Sequence, residues 1–109
     1  MLKPIALHIL LALADRESHG YAVMQAIRDG SGGEVRVHTA SFYRHLAKLI
    51  DEGLVAETAG PGDGDDPRRG AYYRITPRGR QALAAEKRRL TALLAQMNKL
   101  RLSPRKASV

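Results

Sequence analysis

Ser41, Arg44, His45 and Lys48 recur at steps of three and four along the middle of the chain. On a helix that spacing gathers them along one side. Together they offer two permanent cations, an imidazole and a hydroxyl. Such a set suits the base edges and phosphates of a duplex better than covalent chemistry. Arg44 can hold a guanine through two parallel hydrogen bonds, a contact worth about 1–3 kcal/mol of discrimination. Lys48 can do the same or hold a phosphate. Thr39 and Ser41 stand where the helix would begin, where unpaired N–H groups and the helix dipole favour an anion. A simpler reading makes Arg44 and Lys48 solvated positions paired with Asp51 or Glu52, Lys48 and Glu52 being one helical turn apart.

These residues need a helix to present them, and the intervening positions supply one. Phe42, Leu46 and Leu49, flanked by Tyr43 and Ile50, form an apolar stripe over about 39–52, with Gly53 closing the helix. Tyr43 has two readings: a core ring with its hydroxyl at the rim, or a phosphate ligand.

Upstream, a helix is predicted from near Pro4 to Ala14, with proline in a first turn where its missing N–H costs nothing. Ile5, Ile9, Leu10 and Leu13 make its inner face. Ser18 is the expected cap of a second helix, about His19 to Asp29, whose inward stripe would be Tyr21, Met24 and Ile27 beside Val23. Gly30, Gly32 and Gly33 end it, and Glu34 to Val37 make a short extended link. Downstream, Leu54–Thr58 and Ala71–Thr76 have the composition of strands. Gly60 to Pro67, dense in Gly, Pro and Asp, can only be a turn or loop between them.

A last helix should run from Pro77 to about Leu100. Leu83, Leu90 and Met97 are seven apart, and Leu93 and Leu100 follow the last two by three. Glu86 interrupts this seam. With Leu94, the row is too apolar for one exposed face, so it packs on helix one or on a partner, and a two-fold dimer is the commonest solution. Lys87, Arg88 and Arg89 would be the solvated side. The fold class expected is mainly α with a small β-hairpin wing (α+β): a winged helix-turn-helix over 1–76, a C-terminal dimerisation helix over 77–102, and a frayed basic tail over 103–109.

The chain has 109 residues, the length of one domain, and a net charge of +7. Residues 1–55 hold six Lys/Arg against six Asp/Glu; residues 56–109 hold twelve against five and carry the whole excess. That asymmetry fits a polyanionic partner whose counterions are released on binding. With no cysteine there is no disulfide or thiolate metal site, and the cytoplasm, at the nucleoid, is the expected compartment. The apolar run Ile5–Ala14 is interrupted by His8 and too short to span a bilayer, so no membrane role is expected. Asp15-Arg16-Glu17 after it is not a leader cleavage site. Histidines 8, 19, 38 and 45 share no metal-ligand spacing. Asp63, Asp65 and Asp66 are followed by Pro67, Arg68 and Arg69, which break a calcium-loop pattern. No metal, cofactor or enzymatic centre is expected. Arg68 and Arg69 lie on the wing's return, placed to grip backbone or minor groove, while the acidic tip before them is repelled by phosphate.

The order of these pieces resembles the PadR family of winged helix-turn-helix regulators. The matching stretches are His19-Gly20-Tyr21, Ser41-Phe42-Tyr43-Arg44-His45-Leu46 with Leu49, Glu52-Gly53-Leu54-Val55, Arg68-Arg69, Tyr72-Tyr73-Arg74-Ile75-Thr76 and Gly79, spread over about residues 5–100. Members commonly carry Ser-Pro-Gly where this chain has His38-Thr39-Ala40. Histidine caps less well than serine, so Thr39 is an alternative cap that would start the helix one residue later. Gly70 and Ala71 separate the basic pair from the tyrosines, where similar sequences often add a base. The resemblance implies a transcriptional regulator, a repressor, that binds double-stranded DNA as a homodimer joined by its C-terminal helix. Thr39, Ser41, Tyr43, Arg44, His45, Lys48, Arg68, Arg69 and His19 are the expected DNA contacts. Leu83, Leu90, Leu93, Leu94, Met97 and Leu100 are the expected dimer contacts. No cofactor is implied; a small-molecule effector stays open, although Phe42 and four tyrosines are scant material for an aromatic clamp. The competing reading is a winged helix used only for protein–protein contact.

Overall fold

Where glycine, proline and β-branched residues fall divides the described residues into four helices and three short strands. The computed structural model describes residues 1–59 and 71–102. In order they are α1 (Pro4–Asp15), β1 (Ser18–His19), α2 (Gly20–Gly30), α3 (Thr39–Asp51), β2 (Val55–Thr58), β3 (Tyr72–Ile75) and α4 (Pro77–Asn98). The turn expected at 60–67, the arginines at 68 and 69 and the tail at 103–109 lie outside the described residues.

The core is one cluster. Ile9, Leu10 and Leu13 of α1, Val23 and Ile27 of α2, and Phe42, Leu46 and Leu49 of α3 meet Val55 of β2 and Tyr73 and Ile75 of β3. The β-strands form an antiparallel sheet of order β1-β3-β2, three strands where a two-stranded hairpin was expected. Val55 faces Ile75, Glu57 faces Tyr73, and Ser18 and His19 face Tyr73 and Tyr72 on the other edge. Two residues have too little periodicity to declare a strand; only the partner β3 makes one of them. The result is a winged helix, α+β, with the wing's base in β2 and β3.

Two expectations for α2 are corrected by this edge strand. Ser18 does not cap the helix: α2 starts at Gly20, so the cap position falls one residue later, and the Ser18 hydroxyl donates to Arg16 O at 3.4 Å instead. His19 caps instead: its Nδ1 accepts the Ala22 N–H at 3.3 Å, and its ring stands edge-on to Tyr72 at 5.6 Å. The buried stripe is Gly20, Val23 and Ile27, with Met24 half-buried, and Tyr21 is 68% exposed rather than inward. Gly20 adds no apolar weight to a periodicity count, so the stripe through it is invisible in sequence. Gly32 (φ 65°) and Gly33 (φ 83°) take the left-handed turn that ends α2, with the Gly33 N–H bonded to Arg28 O at 2.8 Å.

α3 begins at Thr39 after His38, whose side chain makes no capping bond, so Thr39 is helical rather than the cap. It ends as expected: Gly53 (φ 78°) lets the Leu54 N–H return to Leu49 O at 2.9 Å. The chain then enters β2 directly, and Thr76 ties that corner to α4. The Thr76 N–H bonds Leu54 O at 3.0 Å, its hydroxyl donates to Gly53 O at 2.6 Å, and its Oγ1 accepts the Gly79 N–H at 3.0 Å. Gly79 is buried against this corner, and a Cβ there would collide with the Leu54 carbonyl. Arg80 donates to Ala14 O at 3.3 Å, placing a cation at the C-terminus of α1.

Along α4 the surroundings change. Ala82 and Leu83 pack partly on the core, and Glu86 is buried, 4% exposed. Its carboxylate receives two bonds from Arg89, at 2.8 and 2.6 Å. Glu86 is thus an ion-paired anchor where the seam seemed broken, and Arg89 is half-buried with it rather than solvated like Lys87 and Arg88. The Arg89 bonds hold the Glu86 carboxyl below its ordinary value against the opposing cost of burial. From Leu90 onward every described residue is exposed.

Candidate nucleic-acid interface

The exposed side of α3 is the candidate site, because its opposite side is locked. Phe42 is fully buried and Leu46 and Leu49 nearly so, which fixes the rotation of the helix about its own axis. Arg44 and Lys48 consequently stand in solvent. Among the described residues neither makes an ion pair, so the pairing of Lys48 with Glu52 is not formed. Unpaired cations on a rigid helix can meet phosphate or base edges without first breaking a bond within the protein.

The other expected contacts sit differently. Thr39 is exposed in the first turn. Ser41 and His45 are half-buried at the flank, and the His45 Nδ1–H donates back to Ser41 O at 2.8 Å, which orients the imidazole along the helix. Beside them Met1, Leu2 and Lys3 meet Lys48, Leu49 and Glu52 across a shallow crevice. On the opposite flank Tyr43 is 42% exposed, its ring edge-on to Phe42 at 5.0 Å. Its hydroxyl lies against Gly20, so close that a Cβ at Gly20 would overlap it. Gly20 therefore permits a close approach between the start of α2 and a side chain of α3. Tyr43 is thus partly packed between α2 and Phe42 while 42% of it stays exposed.

Tyr73, beneath this flank, has its phenol pushed above its ordinary value by burial, then by the charge of Glu57 and by Tyr43. It stays a neutral packing group. Arg74 is exposed on β3 opposite Ala56, a further cation on the wing. Sequence reasoning passed over three members of the surface. Arg74 lay inside the strand motif, and Ala40 and Ala47, both exposed on α3, look neutral in any charge or hydropathy pattern. Their steps of four and three from Arg44 were the available signal. Arg68 and Arg69 fall outside the described residues.

Residues 9–85 match the profile of the transcriptional regulator PadR-like family. The chain belongs to that family. The chain is also 34% identical, over 85% of its length and 81% of the relative's, to the transcriptional regulator Rv3488 of Mycobacterium tuberculosis. Two solved structures share the fold: a transcriptional regulator from Clostridium thermocellum, with a TM-score of 0.72 at 24% identity and 87% and 90% of the two chains covered, and a PadR family transcription regulator from Clostridium difficile, with a TM-score of 0.74 at 18% identity and 89% and 97% covered. This PadR-like protein is accordingly a transcriptional regulator, a class that acts through recognition and not through catalysis. Among its described residues no helix is long and apolar enough to cross a membrane.

Proposed function

We propose that this PadR-like regulator binds operator DNA as a homodimer and represses transcription, with α3 in the major groove and the wing on the backbone or in the minor groove. The observation that carries the reading is the two-sidedness of α3: Phe42, Leu46 and Leu49 are sealed in the core while Arg44 and Lys48 are exposed and unpaired among the described residues. In this reading Arg44 reads a base and Lys48 a base or phosphate. Thr39, Ser41, Tyr43, His45 and His19 line the approach to the backbone, and Arg68 and Arg69 grip it from the wing. Residues 1–76 then form the DNA-binding unit, 77–102 the dimerisation helix and 103–109 a basic tail.

The homodimer is supported by the far half of α4. Leu90 and Leu93 are 39% exposed, Met97 46%, Leu94 54% and Leu100 61%, with Leu11 of α1 at 50%. Leu7, Leu11, Leu83, Leu90 and Leu94 line an open groove of about 500 Å³ between α1 and α4. A row of this size left in water is costly, since fully burying one leucine contributes about 1.5–3 kcal/mol. A second copy, with the same row, covers both at once.

The test is binding to the DNA flanking the protein's own gene at graded salt. Specific binding should weaken steeply with salt, each phosphate contact contributing a slope of about 0.9 on logarithmic axes. The double variant Arg44→Ala, Lys48→Ala should lose specific binding. Unchanged binding in that variant overturns the assigned face. A reporter behind the same promoter should rise when the regulator is removed; a fall would make it an activator.

A further inference from the structure

Arg44 does not stand alone on the outward side of α3. Taking the core direction from Phe42, Leu46 and Leu49 and advancing about 100° per residue, Ala40, Arg44 and Asp51 lie within about 30° of directly outward. Ala47 and Lys48 lie about 50° to either side of it. All five are exposed. At about 1.5 Å of rise per residue, Ala40 stands ~6 Å before Arg44 and Ala47 ~4.5 Å after it. Those offsets correspond to one or two base-pair steps of about 3.4 Å. Asp51, a further turn on, lies at the C-terminal end of the helix, beyond the N-terminal turns that reach base edges in this class of motif.

A methyl side chain can neither donate nor accept. Pressed against a polar base edge it removes water from that edge and returns no partner, which is unfavourable. The apolar group that the major groove itself presents is the thymine 5-methyl. We infer that Ala40 and Ala47 select thymine, receiving its 5-methyl group at the base pairs one or two steps to either side of the guanine held by Arg44. On α3 the bonding arginine then works beside two alanines that exclude polar edges. The inference rests on the proposed placement of α3 in the major groove.

The experiment begins with the full-length protein and a random duplex pool, from which bound sites are selected and sequenced. Enriched half-sites should hold a guanine with thymine within two positions on each side. Each such thymine is then replaced by deoxyuridine, which removes the methyl and nothing else. Binding should weaken by about fourfold per methyl, the equivalent of ~0.8 kcal/mol for one buried carbon. In Ala47→Ser the uridine penalty should vanish on one side of the guanine, and in Ala40→Ser on the other, while the preference for the guanine persists in both. Serine is tolerated at exposed helical positions at small cost, so both variants remain folded. Sites without flanking thymine, or a uridine penalty of equal size in wild type and serine variants, overturn the inference and leave the DNA-binding reading standing. A pool that yields no enriched sequence overturns both.

Discussion

Gly79→Ala should unfold this protein more readily than any comparable one-carbon change on its surface. Gly79 is buried in the first turn of α4, and its N–H is held by Thr76 Oγ1 at 3.0 Å. An added Cβ would meet the Leu54 carbonyl oxygen, with Ile75 Cγ1 at 2.7 Å and Leu54 C at 3.1 Å. Two of those three atoms are backbone and cannot rotate away. Helix propensity alone favours alanine by up to about 1 kcal/mol. Against it stands overpacking of about 1–3 kcal/mol. If α4 shifts to relieve the clash, the cap from Thr76 is lost at about 1 kcal/mol, and so is its backbone bond to Leu54 at a further ~1 kcal/mol. The net expectation is a destabilisation of about 1–4 kcal/mol, a fall in melting midpoint of several degrees or more at ~4–8 °C per kcal/mol. Thermal and urea unfolding followed by circular dichroism measure it. Gly30→Ala is the internal control, because nothing lies within 4 Å of the added carbon and φ is not positive there. That variant should be neutral or stabilised by up to about 1 kcal/mol. If Gly79→Ala matches Gly30→Ala in stability, the packing of α4 against the β2 corner has been misread.

Three further outcomes are expected. Leu90→Asp with Leu93→Asp should yield monomers by light scattering and abolish tight operator binding, since the row those residues belong to is exposed among the described residues; a surviving dimer would move the interface elsewhere. The Glu86 carboxyl is held below its ordinary value, so its contribution to stability is complete above the unfolded value of about 4.3 and is lost as pH falls through the folded one. The stability difference between wild type and Glu86→Gln should therefore shrink below that pH in urea titrations, and a constant difference would refute the ion-pair account. Gly20→Ala should destabilise by forcing the Tyr43 hydroxyl aside, and Tyr43→Phe in the same chain should restore part of the loss, read as a coupling in a double-mutant cycle.

Most of the architecture was legible because it follows from local rules. The periodic stripes of α1 and α3, Pro4 and Pro77 in first turns, Gly53 as a left-handed stop and the two strands of the wing each depend on a few neighbouring residues. What was misread depended on distant ones. Ser18 looks like a helix cap until α2 starts at Gly20 and His19, set against Tyr72 of β3, takes that place, and Tyr21 looks like core until Val23 and Ile27 align through Gly20. Glu86 looks like a fault in an apolar seam until it is buried against Arg89.

The amino-acid sequence by itself determined that a helix near residue 44 would have one greasy and one cationic side, because helical period and side-chain chemistry are properties of the local chain. Only the tertiary structure decided which cations stay unpaired, which alanines share their surface and which glycines carry a neighbour's weight. Those depend on how elements far apart in sequence exclude water from one another, and no local pattern encodes that distance.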